Sequence, residues 1–161
     1  MEQEGRERVP EGFERVPEGL GFTDVLQPLY RRLEGGAISL GLVVDRRHSN
    51  TMGICHGGVL MTLADIAAGS GVNVARGVLA GAPTINLSLD FIAGARMGQW
   101  LQADVQQVEL KRHFGFASGI ILTGERVVAR YNGTFYFPDH DGMWKEGKTE
   151  MAPLKGLGDG L

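Results

Sequence analysis

Between residues 37 and 45 the chain reads AISLGLVVD, which places Ile38, Leu40, Leu42 and Val44 on one side. TINLSLDFI (84–92) does the same with Ile85, Leu87, Leu89 and Phe91, and WLQADVQQVEL (100–110) alternates through Leu101, Ala103 and Val105. FGFASGIIL (114–122) and VVARYNGTFYF (127–137) are separated by TGER, a hairpin turn signal. A period of two predicts a strand for each run. From 57 to 75 the pattern changes to GGVLMTLADIAAGSGVNVA, apolar or small almost throughout apart from Asp65, and this predicts one long helix. A helix apolar on all sides must be enclosed. The economical arrangement is α+β, a curved antiparallel sheet wrapped around one long central helix in the order β-α-β-β-β-β.

The flanks lack this patterning. Residues 7–20 hold a near-perfect duplication, ERVPEGF then ERVPEGL, whose Pro and Gly exclude a heptad helix. It reads as an extended arm, and FTDVLQPLYRRL (22–33) reads as a short helical or turn segment feeding the domain. Residues 138–161 lose periodicity and read as a tail. PDHDG (138–142) within it has the residue types of a metal cluster but not the ligand spacing, and reads as a solvated turn. The expected division is therefore an arm over 1–34, a domain over 35–137 and a tail over 138–161.

Composition narrows the function classes. Glycine is 25 of 161 residues, well above the usual ~7%, which points to tight turns and close backbone approaches. Net charge is −3 with no Lys/Arg run, so no nucleic-acid partner is expected. One cysteine fits a reducing compartment, and MEQEGRERVPEGFE is unlike a leader peptide, so the expected address is cytoplasmic. Residues 57–75 carry an acid and many small residues, which argues against a membrane span.

The chemistry concentrates in HSNTMGICHGGVLMTLADIAAGSG (48–71). A helix opening at Gly57 presents first-turn N–H groups without intrahelical partners at the positive end of its dipole. Such an end can hold the oxyanion of a reacting carbonyl, and glycine lets a substrate approach the backbone. Asp65 lies eight residues on, about 12 Å at roughly 1.5 Å per residue. A carbonyl held at Gly57 is thus out of reach of the same helix's Asp65. The two can act together only if a second helix runs antiparallel beside the first, with the site shared between protomers.

The run resembles the signature of the hotdog-fold thioesterase superfamily, in particular its PaaI-like, phenylacetate-degradation branch. The elements that carry the likeness are His48, Asn50, Gly53, His56, Gly57, Gly58 and Asp65, and it extends over about residues 35–137. The resemblance implies a hotdog fold, hydrolysis of acyl-coenzyme A thioesters, and dimers or dimers of dimers. Under it, Asp65 is a general base or a nucleophile, and the Gly57 N–H, helped by His56, polarises the carbonyl. Asn50 lies near the thioester or the attacking water, and Thr84 stands where relatives carry a hydroxyl that orients the water or the acid. Coenzyme A is expected along Arg96 and the turn of Lys111, Arg112 and His113. No metal and no cofactor are implied, since coenzyme A is part of the substrate.

Plainer readings exist for each residue. Asp65 could cap a neighbouring backbone, His56 and Asn50 could only build a turn, and the basic residues could be solvated. Cys55 beside His56 reads as a small buried residue, because adjacent side chains point apart and no third group orients them. Small residues Ala64, Ala67, Ala68 and Gly69 suggest an acyl pocket with room for an aryl or medium-chain group. A non-catalytic acyl-CoA-binding module on the same fold is the alternative function. A hydratase is disfavoured, since no histidine follows Asp65 within the helix.

Overall fold

The computed structural model describes residues 8–78 and 81–137. Seven strands form one antiparallel sheet: β1 (Glu14–Arg15), β2 (Tyr30–Glu34), β3 (Ala37–Val43), β4 (Thr84–Phe91), β5 (Trp100–Leu110), β6 (Phe114–Thr123) and β7 (Arg126–Tyr136). Their order across the sheet is β1-β2-β3-β5-β6-β7-β4. The single α-helix among the described residues, α1 (Gly57–Arg76), packs against β3, β5, β6 and β7, which is the hotdog arrangement. Alternation on the strands explains the core directly. Ile38, Leu40, Leu42 and Val44 from β3 and its exit, with Leu101, Ala103, Ala117, Ile121, Ala129 and Phe135, all turn toward the helix and are buried.

The helix buries one stripe rather than its whole circumference. Leu60, Leu63, Ala64, Ala67, Ala68, Gly71, Val72 and Val74 recur at helical spacing and face the sheet. Gly58, Met61, Thr62, Asp65, Ile66, Gly69 and Ser70 form an opposite side that the chain itself leaves partly uncovered. The acyl-pocket reading of the alanines is therefore corrected. Ala64, Ala67 and Ala68 are fully buried against the sheet, because their spacing puts them on the stripe of Leu60 and Leu63. Gly69 instead backs onto Phe135, whose Cε1 would lie 3.3 Å from an added Cβ.

The N-terminal region differs from its sequence reading. Residues 21–26 form a 3-10 turn, but Tyr30–Glu34 is a strand, paired with β3 from Tyr30↔Gly41 to Glu34↔Ala37. Both copies of the duplicated heptapeptide make a turn at the same point, with Gly12 and Gly19 at φ +85° and +90°. After the first turn, Phe13 packs edge-on against Trp100 with centroids 5.1 Å apart and lies beneath the Arg32 guanidinium. After the second, Leu20 packs against the core, and the N–H groups of Gly19 and Leu20 donate to the Asp24 carboxylate. The PDHDG cluster lies outside the described residues.

Candidate active site

The segment before α1 is built to deliver its first residue. Asn50 Oδ1 accepts the Met52 and Ile54 N–H groups at 2.9 and 3.4 Å, and Gly53 turns the chain at φ +73°. The Cys55 N–H donates to Ala95 O at 2.7 Å and the His56 N–H to His48 O at 2.8 Å, which ties the loop to its neighbours. His48 is itself buried, its Nδ1 accepting the Asp45 N–H at 3.2 Å. Much of the motif thus has visible work in constructing the turn.

His56 caps the helix. Its Nδ1 accepts the Gly58 N–H at 2.8 Å, so in the neutral ring the proton resides on Nε2. The N–H groups of Val59 and Leu60 donate to His56 O. Among the described residues this leaves the Gly57 N–H, the first of the turn, without an acceptor. Over Gly57 lies the Phe91 ring, whose Cε1 would stand 3.2 Å from a Cβ at that position. Sequence reasoning gave Phe91 only a place on a strand face.

Asp65 lies two turns further on, half-buried on the uncovered side of α1. Thr84, the first residue of β4, donates its Oγ1–H to Asp65 Oδ1 at 2.7 Å. A β-bulge permits this contact. Thr84 pairs with Phe135 and Asn86 with the adjacent Thr134, so Ile85 is the extra residue. Thr84 consequently shares the helix-facing side with Leu87, Leu89 and Phe91, which keep the face expected of them, and only Ile85 leaves it. Cys55 is buried, its thiol pushed up to about 12 by desolvation, and its Sγ lies 3.8 Å from His56 O. It is a packing residue, as read from the sequence.

The basic candidates do not gather in one chain. Arg96 is exposed beside the loop before α1, in a β-bridge with Ile54. Lys111, Arg112 and His113 form the β5–β6 turn, where His113 O accepts the Phe137 N–H and the guanidinium of Arg76, the last residue of α1, covers the Phe137 ring at 3.9 Å. The two groups therefore stand at opposite ends of a 20-residue helix, about 30 Å long.

A hotdog sheet, an uncapped glycine amide at the start of its helix and a threonine-held carboxylate eight residues on define a class of acyl-group-handling proteins. Residues 52–129 match the family model described as "Thioesterase superfamily". A Pseudomonas aeruginosa protein named as an inferred esterase is 35% identical over 131 residues, covering 81% of this chain and 98% of the relative. Among solved structures, a phenylacetic acid degradation protein PaaI from Thermus thermophilus superposes with TM-score 0.64 at 24% identity, covering 73% of this chain and 98% of that one. A Streptococcus pneumoniae hypothetical thioesterase solved with coenzyme A gives TM-score 0.62 at 19% identity, with 77% and 94% covered. The chain belongs to the thioesterase superfamily and is a thioester hydrolase.

Proposed function

We propose that this protein hydrolyses acyl-coenzyme A thioesters carrying a small aryl or medium-chain acyl group, in the cytoplasm, as a homodimer or dimer of dimers whose sites are shared between protomers. The observation that carries the reading is the Thr84-held carboxylate of Asp65, about 12 Å along α1 from the free Gly57 N–H. One helix cannot bring these groups to a single carbonyl; two antiparallel helices can. Coenzyme A in a structural neighbour supports the substrate class. Two features support the pairing. The uncovered side of α1 carries Asp65, and β4, at the sheet border, leaves one edge unpaired among the described residues, with Ile85 and Ile92 more than half exposed.

In the shared site the thioester carbonyl accepts the Gly57 N–H of one protomer, with His56 holding that helix end in shape. Asp65 of the other protomer acts in one of two ways. As a general base it takes a proton from water, whose oxygen bonds to the carbonyl carbon. As a nucleophile it forms a mixed anhydride that water then opens. Thr84 holds the carboxylate's orientation by donating to one oxygen, which leaves the other for the reaction. The carbonyl oxygen gains negative charge at the helix end, the C–S bond breaks, and the thiol of coenzyme A leaves with a proton. Asn50 shapes the loop beside the attacking water. An antiparallel pair also places one protomer's Lys111, Arg112 and His113 turn beyond its partner's Gly57 end, on the side of Arg96, so basic groups from both chains serve the coenzyme A phosphates.

The test is thiol release from phenylacetyl-, benzoyl-, hexanoyl- and palmitoyl-CoA by wild type and Asp65→Asn. Wild-type turnover with a loss of about 100-fold or more in the mutant is expected. An active wild type whose mutant keeps full rate removes Asp65 from the mechanism. Single turnover in oxygen-18 water identifies an anhydride opened by water at the Asp65 carbonyl carbon, since only that route leaves the label on the enzyme and an enzyme oxygen in the product.

A further inference from the structure

We propose that Phe91 is the specificity-determining side chain of the acyl site, its ring stacking on an aromatic acyl group and favouring aryl over straight-chain thioesters. This rests on the hydrolase reading above and narrows its substrate class. Phe91 is in register with buried Ala129 and so faces the helix, where the missing Cβ of Gly57 lets the ring settle onto the backbone. It is nevertheless 57% exposed, because β4 is the last strand of the sheet and no strand covers its far side. A large ring thus lies exposed beside the one free first-turn amide among the described residues.

Position does the rest. Because the ring stands 3.2 Å from where a Gly57 Cβ would lie, a carbonyl held by the Gly57 N–H can seat the carbon next to it against the ring. An aryl group attached there, or one methylene further, falls within the roughly 4.5–7 Å centroid range of offset or edge-on pairing. An alkyl chain at the same place gains only non-directional contact. Asp65 of the same chain lies too far along α1 to share this corner, so Phe91 acts on the substrate held by its own helix end.

The experiment compares kcat/KM of wild type, Phe91→Leu and Phe91→Ala on benzoyl-, phenylacetyl-, butyryl- and hexanoyl-CoA, with thermal midpoint and sedimentation mass measured for each. The expected result is an aryl-to-alkyl preference about fivefold lower in Phe91→Leu, the size of one aromatic pair, with mass and midpoint kept. Phe91→Leu retains bulk without the ring, so an unchanged preference overturns the proposal while leaving the hydrolase reading intact. An equal fall on all four substrates, or loss of the dimer, overturns it too and makes Phe91 an interface residue. A folded wild type that cleaves none of the four defeats both readings.

Discussion

His48 is buried and neutral at ordinary pH, and this has a measurable cost in acid. Desolvation pushes its pKa below the usual imidazole value, against the pull of the Asp45 carboxylate and with help from the Arg47 charge. A base whose pKa is lower folded than unfolded adds its full stability above the unfolded value of about 6.5 and loses it as pH falls from there toward the folded value. The thermal midpoint should therefore fall as pH drops below about 6.5, and His48→Gln should flatten that part of the profile; coincident wild-type and mutant slopes would assign the effect elsewhere. Cys55 makes the complementary case. With its thiol raised to about 12 and its side chain enclosed, it should resist iodoacetamide at pH 8 in the native protein and react once the chain is unfolded in guanidinium. Rapid native labelling would contradict the burial.

At the scale of elements, β3 and β5 pair antiparallel, and Gly41 on β3 lies beneath the indole of Trp100 on β5. A Cβ at Gly41 would overlap that ring and come within 2.9 Å of Leu101 O, and Phe13 and Tyr30 flank the indole at 5.1 and 5.9 Å. Gly41→Ala should therefore cost about 1–3 kcal/mol in urea denaturation and change the tryptophan emission. A midpoint within error of wild type would mean that the indole can move aside freely. The same elements show what the sequence made legible. Alternation located β3, β5, β6 and β7, and the apolar run read over 57–75 located α1, which ends one residue later at Arg76 with Gly77 in the left-handed region at φ +68°. β2 stayed hidden because YRRLE turns Arg31 inward, where Glu14 pairs with it at 2.9 Å; a charged inward position breaks the expected pattern. The Thr84–Asp65 bond was legible through the resemblance, which gave Thr84 the orienting hydroxyl, but not through alternation, since only a bulge swings Thr84 to the helix side. The separation of Arg96 from Lys111 was legible in the strand read at 100–110, which spans about 35 Å at roughly 3.3 Å per residue and puts the two at its opposite ends.

At the scale of the whole molecule, a site divided between protomers makes a prediction that no single-chain site shares. Gly57→Pro removes the N–H at the first helical position, which proline tolerates, and His56 already has the extended ψ of 137° that a following proline needs; the added Cβ would stand 3.2 Å from Phe91 Cε1, so the exposed ring must swing aside. Gly57→Pro and Asp65→Asn should each be inactive alone. Subunits mixed and re-equilibrated one to one should recover about a quarter of wild-type activity, since half the dimers are mixed and each contains one intact site. No recovery, with exchange verified by mass, would place both groups of each site in one chain. The order of strands has its own consequence. β4 follows α1 directly in the chain, yet its sheet neighbour is β7, which ends at Tyr136. During synthesis Thr84 thus lacks its sheet partner until Phe135 has left the ribosome, and a message cut short before then yields a polypeptide in which the acid at 65 has no strand to hold the hydroxyl against it.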